Sequence, residues 1–254
     1  MSSPIKAFDG YVYVPDSDPG VFAAAARGMV VRKPDRSPPW IVVDHAIESA
    51  VIARWPGRLW RVVVLDADGV EQASAYANYT RALAVKVIEE VPASCLFGEH
   101  GEAVVAVLSF ASRLDVATAE RLADLRHPEA DQAYSRVWRR WIDRVGSGSF
   151  HGATDFSGTL AAGQGPSRSP LNCGLSLVHR VVWDRAEVVA GPGAFVEDDE
   201  GERALGPVWG AAASALLDAA MALGAPSIVS EDTAVLMAAW KVAGNSANAP
   251  PPAG

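Results

Sequence analysis

Strand-like and helix-like hydrophobic patterns are segregated along this chain, and that order limits its fold more than any other feature. Before residue 90 the apolar residues alternate or form short β-branched runs bounded by Pro, Gly and Asp. After residue 100 they recur at helical spacing. Strands followed by helices, without βαβ alternation, indicate an α+β fold rather than a doubly wound parallel sheet. The expected architecture is a mostly antiparallel N-terminal sheet of about four strands and a mainly helical C-terminal half.

Residues 8 to 14 (FDGYVYV) alternate and stop at Pro15, which reads as a first strand. Val21 to Gly28 is expected to form a short helix ended by its glycine, and Trp40 to Asp44 (WIVVD) a buried strand. Leu59 to Asp66 (LWRVVVLD) and Arg81 to Ile88 (RALAVKVI) are two further strands. Residues 46 to 55 fit two readings. They are a helix or, preferably, Ala50 to Trp55 pairs with Leu59 to Asp66 in a hairpin across Pro56-Gly57, where proline fixes φ and glycine supplies a positive φ.

Downstream, Gly101 to Leu114 is apolar at helical spacing, and Asp115 is placed to cap a helix running to Arg126. Pro128 suits the first turn of a helix that continues to about Val145. Leu175 to Val189 fits a helix better than a strand, and Pro207 to Leu223 is bracketed by Pro at its start and Gly224 after its end. Ser230 caps a last helix expected to stop at Gly244. The tail NSANAPPPAG has nothing to bury and reads as disordered. The organisation expected is a strand-rich part over 1–145 with helices after 100, a long loop over 146–174, a helical part over 175–244 packed on the first as one compact domain, and a tail over 245–254.

The loop from Gly146 to Gly174 (GSGSFHGATDFSGTLAAGQGPSRSPLNCG) lacks hydrophobic periodicity, and irregular stretches of this kind are usually functional or disordered. It carries His151, Asp155, Ser157, Arg168, Asn172 and Cys173, with His179 just beyond. A hydrolase or transferase site could draw acid–base or nucleophilic groups from His151, Asp155 and Cys173 or His179. No defining context accompanies them. There is no G-x-S-x-G elbow, no GK[ST], no HExxH, and no Cys/His cluster for a metal. No cofactor is expected.

The helix before this loop is strongly two-faced. Tyr134, Val137, Trp138, Trp141 and Val145 fall on one side and Arg136, Arg139, Arg140 and Arg144 on another. The arginines either grip an anionic ligand or a partner's carboxylates, or form a solvated face neutralised by nearby acids such as Asp131 and Asp143. The chain has eight tryptophans. Trp40, Trp55 and Trp60 surround the expected hairpin, and Trp138, Trp141, Trp183, Trp209 and Trp240 fall on expected helices, where core packing is the commoner role. Glu197, Asp198, Asp199, Glu200 and Glu202 form an acidic loop within Pro192–Glu202, without EF-hand spacing.

A net charge of −8 argues against nucleic-acid binding, which needs a dominant basic surface. The start has no charged-then-apolar leader pattern, and the longest apolar candidate, Ala211 to Ala225, is interrupted by Asp218 and is not read as a membrane span. The two cysteines, Cys95 and Cys173, fit a reducing compartment. The resulting expectation is a soluble cytoplasmic binding or protein-interaction module. Its Trp-rich and Arg-rich surfaces would hold an acidic protein partner or anionic ligand, with the loop enzyme as the alternative.

Overall fold

The fold is that of a computed structural model, which describes residues 8–47, 50, 52, 54–67, 79–145, 170–225 and 230–247, with side chains undescribed at 8, 141–145, 170–176 and 244–247. It is an α+β fold: an antiparallel N-terminal sheet and a mostly helical remainder. The chain divides into two compact units, the first ending at Leu96 and the second starting at Phe97 and resuming at Gly174.

The first unit is a five-stranded sheet of β1 (Phe8–Pro15), β2 (Val30–Arg32), β3 (Ile41–Asp44), β4 (Gly57–Ala67) and β5 (Tyr79–Val91). β5 organises it. One edge of β5 pairs with β4, from Leu59↔Val91 to Ala67↔Ala82. Its other edge is shared by β3 (Ile41↔Ala82 to Asp44↔Tyr79) and β2 (Val30↔Lys86 to Arg32↔Ala84). β1 lies antiparallel along β4 from Phe8↔Val64 to Pro15↔Gly57 and meets β3 at Tyr11↔Asp44. The pairing therefore runs in a circuit, β4–β5–β3–β1–β4. The circuit closes at the single pair Tyr11↔Asp44, and β2 stays an edge strand with β5 as its neighbour. Register shifts in the β4–β5 ladder, between Arg61/Val62 and between Val64/Asp66, supply the bend that closure requires.

Side-chain alternation fills the inside. Val12 and Val14 of β1, Trp60, Val62 and Val64 of β4, and Val85 and Val87 of β5 form one buried cluster with Phe22, Val31, Ile41 and Val43. The intervening Arg61 points outward, where it is held by Asp9 at 2.6 Å and Glu89 at 3.1 Å. Arg58 beside it pairs with Glu90 and lies 4.3 Å from the centre of the Trp60 ring. Each buried valine contributes about 1.5–3 kcal/mol, whereas exposed ion pairs of this kind contribute about 0–1 kcal/mol. Burial, not the charge ladder, holds the sheet.

Two expectations fail here for identifiable reasons. The hairpin across Pro56-Gly57 does not form, and none of the described residues of 46–55 lies in a strand or α-helix. Both edges of β4 are already taken by β1 and β5, leaving no edge for residues 50–55. The helix expected over 21–28 is only a 3₁₀ turn, Gly20–Phe22. Phe22 and Ala25 instead enter the core. Gly28, at φ +85°, donates its N–H to Val87 O at 2.8 Å and steers the chain into β2.

The second unit holds α1 (Gly101–Ala111), α2 (Val116–Leu125), α3 (Ala130–Val145), α4 (Pro170–Ala190), a hairpin of β6 (Phe195–Glu197) and β7 (Arg203–Leu205), α5 (Pro207–Gly224), α6 (Ser230–Leu236) and α7 (Ala238–Ala247). Asp115 caps α2 as expected, accepting from Thr118 N at 2.7 Å. α5 is the packing centre, touched by α1, α2, α3, α6 and α7. Its Ala212, Ala213, Ala215, Ala219 and Ala220 are buried, and small side chains let neighbouring helices approach closely. By length and apolar content α5 would suffice to cross a bilayer, yet more than half of it is buried inside this unit.

Three more boundaries differ from expectation. Pro170–Gly174, expected as loop, belongs to α4, whose first residue is a proline needing no N–H partner. The acidic loop is the turn of the β6–β7 hairpin. The last helix is broken at Met237 into α6 and α7.

Gly57 tests the sheet. A Cβ there would lie 2.5 Å from both Tyr13 Oη and the backbone oxygen of Val14. Gly57→Ala is expected to lose about 1–3 kcal/mol in urea unfolding, while Gly193→Ala, with open space around it, leaves the midpoint unchanged. Equal midpoints for the two variants would contradict this packing.

Candidate functional site

α3 is built on a small-residue stripe. Ala130, Ala133 and Val137 are buried at helical spacing, at 1%, 0% and 2% exposure. The core-facing stripe is thus alanine and valine rather than the aromatics. Tyr134 and Trp138 sit half-buried at its border, stacked with centroids 6.1 Å apart and planes at 16°. Burial, together with the neighbouring Asp218 carboxylate, pushes the Tyr134 hydroxyl up to about 12, so it stays a protonated donor at any physiological pH.

The arginines divide into two groups. Arg136 donates from Nε and Nη2 to Asp232 Oδ1 at 2.9 and 2.7 Å, and Arg140 from Nη1 to Asp232 Oδ2 at 2.7 Å. Asp232 lies in the first turn of α6, with its side chain only 4% exposed. Burial alone would raise its carboxyl, but the two guanidinium groups outweigh burial and hold it below the usual carboxylate range. Arg126, just before α3, donates to Asp218 of α5 at 2.8 Å and to Asp131 at 2.6 Å. For Asp218 burial wins and pushes the carboxyl up against the pull of Arg126.

Arg139 is different. It is exposed, and among the described residues it has neither a hydrogen bond nor an ion-pair partner. It borders an open concavity of about 330 Å³ with Tyr134, Ser135 and Trp138. A second, of about 350 Å³, is lined by Asp131, Gln132, Ser135, Arg136 and Arg139. Ser135 and Arg139 border both, so the two adjoin as a shallow groove along α3, aromatic at one end and of mixed charge, with Asp131 beside Arg136 and Arg139, at the other. Two guanidinium groups, of Arg136 and Arg140, share the single carboxylate of Asp232, so this cluster holds one cation more than it has carboxylates. Toward the start of α3 the balance reverses, with Asp131 and Asp218 around Arg126. A carboxylate bound bidentately at Arg139, next to a flat apolar group on Tyr134 and Trp138, matches this arrangement.

Of the expected binding arginines, Arg136 and Arg140 are therefore committed to Asp232, and Arg139 has no partner among the described residues. Arg144 lies in α3 with its side chain outside the described residues. Asp232, which decides this, is 96 and 92 positions away from Arg136 and Arg140, and no local pattern announces it. Asp131 pairs with Arg126 rather than with the stripe. Of the alternative catalytic set, His151 and Asp155, with Ser157 and Arg168, lie outside the described residues. Cys173 and His179 are on one helix, about 9 Å apart along its axis. His179 is exposed, its ring 6.2 Å from Trp183, and has no hydrogen bond among the described residues. No group of three or more His, Cys, Asp or Glu among the described residues is placed to hold a metal ion.

The tryptophans also separate. Trp60 and Trp209 are core, at 2% and 4% exposure. Trp240 packs edge-on to Phe110 at 5.1 Å, and Trp183 lies 4.7 Å from Phe195. Comparison with protein-family models, curated proteins and solved structures finds no match to this chain.

Arg126→Met would strand the Asp218 carboxylate in the core, and a loss of about 3–5 kcal/mol is expected. The double variant Arg126→Met, Asp218→Leu recovers most of it, because both charges leave together; a double variant no better than the single one would refute this account. The two carboxylates also have opposite pH signatures. Asp232, depressed in the fold, stabilises fully above the usual carboxylate range and loses that contribution as pH falls through it. Urea midpoints compared between pH 7 and about pH 3.5 should therefore drop more in wild type than in Asp232→Asn. Asp218, raised in the fold, acts in the opposite sense, favouring the fold while protonated and losing that contribution as pH rises.

Proposed function

We propose that this protein is a binding module that recognises an acidic, partly apolar segment of a partner through the groove on α3. One observation carries the reading: among the described residues Arg139 has no ion-pair partner beside the stacked Tyr134–Trp138 pair, while its neighbours Arg136 and Arg140 are held on Asp232. The locked pair supplies a positive background without bending away from α3. Arg139 can then offer both nitrogens of its fork to one carboxylate, and the rings offer a flat apolar shelf beside it. A ligand lacking either feature would use only half of the groove. Tyr134, held protonated, adds a donor at the border, and Ser135 and Gln132 add neutral polar groups between the two halves.

The groove is open and shallow, which suits a side-chain cluster on a macromolecule better than an engulfed small molecule. Its described lining is guanidinium, aromatic, amide, hydroxyl and carboxylate groups, which suit recognition of a charged and apolar segment. The wider surface contributes little to affinity, because its exposed ion pairs are screened and self-satisfied.

Isothermal titration calorimetry with a capped pentapeptide, phenylalanine flanked on each side by two glutamates, tests this directly. Binding is expected for wild type and for Arg27→Glu, an exposed control. Arg139→Glu and Trp138→Leu each weaken it by about tenfold or more. The same peptide with lysines in place of glutamates should not bind. Equal affinity of wild type and Arg139→Glu would overturn the proposal.

A further inference from the structure

We infer that the acidic partner of the α3 groove is the β6–β7 turn of a second copy of this chain, an inference that rests on the groove being a binding site. The turn presents Glu197, Asp198, Asp199, Glu200 and Glu202, all exposed. Their backbone is not slack. Asp198 N donates to Glu202 O at 2.8 Å, and Gly201 N to Asp198 O at 3.0 Å with Gly201 at φ +78°. Asp198 Oδ1 accepts from both Glu200 N at 3.0 Å and Glu202 N at 2.8 Å. One carboxylate is thus consumed in shaping the turn, and the other four project from it without an ion-pair partner among the described residues.

The base of the hairpin is equally fixed. Arg203 lies over the Phe195 ring at 3.7 Å and pairs with Glu187 at 3.0 Å, and Phe195 packs on Trp183. A pre-shaped turn loses little conformational entropy on docking, which is the usual obstacle for a charged loop. Next to the carboxylates Val196 is 46% exposed. The turn therefore offers carboxylates and an adjoining apolar group, the two features the groove takes at Arg139 and at Tyr134–Trp138. The overall charge of −8 repels two copies at long range. At about 0.15 M salt that repulsion is screened beyond about 8 Å, whereas a carboxylate on a guanidinium acts at contact. Each pairing joins one turn to one groove, and two copies can exchange both pairings about a two-fold axis.

Charge reversal tests the contact on the full chain, by sedimentation velocity from about 10 to 500 μM, the range in which weak contacts of this kind populate. Wild type is expected to associate with rising concentration. Arg139→Glu, which reverses the groove, and Asp199→Lys with Glu200→Lys, which reverses the turn, are each expected to be about tenfold weaker or monomeric. An equimolar mixture of the two restores association, since the native turn of the first fits the native groove of the second and the reversed surfaces fit each other. That rescue also shows that neither variant has merely unfolded. A monomeric wild type across the range, or variants that associate as wild type does, would overturn the inference. If wild type is monomeric while the glutamate pentapeptide still binds through Arg139, the groove remains a binding site for another acidic partner and only the second copy is excluded. If the pentapeptide fails as well, both readings fall.

Discussion

Two buried carboxylates, Asp218 and Asp232, set what α3 can do. Each is supplied by a different helix, α5 and α6, and each is reached by arginines from α3 or the residue just before its turn. A carboxylate taken from water to 4% exposure is costly unless paired and hydrogen-bonded. The arginines are therefore not free to leave. Arg136 and Arg140 occupy both oxygens of Asp232, which fixes the rotation of α3 about its axis. Rotation in turn decides which residues face outward, and Tyr134, Trp138 and Arg139 share the remaining sector. The groove is a consequence of where the ion pairs are, not a separate feature.

The same interactions explain why the two carboxylates respond differently to burial. Asp232 receives two guanidinium groups and Asp218 one, which it shares with Asp131. Doubling the cationic partners tips the balance for Asp232 toward the charged form, while Asp218 remains dominated by its desolvation. Asp218 sits among the buried alanines of α5, where an apolar residue would pack without penalty. Its presence is better understood as fixing the register of α2, α3 and α5 than as adding net stability. An Ala-rich helix offers few shape constraints of its own, so alternative packings lie close in energy, and a charge that must find one arginine discriminates among them.

Local periodicity made most of the elements legible, and failed where a non-local partner decided the outcome. β1, β3, β4 and β5 show in the alternation of Val12 and Val14, the WIVVD run, and the β-branched stretches around Val62 and Val85. β2 does not, because three residues between Gly28 and Pro34 carry no period; Val30–Arg32 is a strand only because β5 has a free edge there. The expected Pro56-Gly57 hairpin had the right turn chemistry, but strand pairing is competitive and β1 and β5 hold both edges of β4. Asp115 was legible because a cap is satisfied three residues away. The arginine stripe was visible as a stripe, while its division into locked and free members depended on Asp232 and Asp218, far along the chain. The residues of the 146–174 segment before Pro170 lie outside the described part.

The placement of charge adds a last step. A chain with a surplus of acids spends several of them internally: Asp218 and Asp232 on arginines, Asp115 on a helix cap, Asp198 on a turn. Asp218 and Asp232 are lost as surface charge, Asp115 and Asp198 stay exposed, and all four fix geometry. The acids left over around Asp198 then sit on a rigid turn, and the guanidinium left over at Arg139 sits on a rigid helix. Both residual charges are exposed by the satisfaction of their neighbours, and in both cases the cost of ordering the backbone has been met by folding. Preorganised, unpaired and opposite charges flanked by apolar groups are what makes a contact specific at modest affinity. Loosening either frame, by removing Asp232 beneath the helix or Asp198 within the turn, would blur the geometry that holds Arg139 and the four remaining turn carboxylates in place.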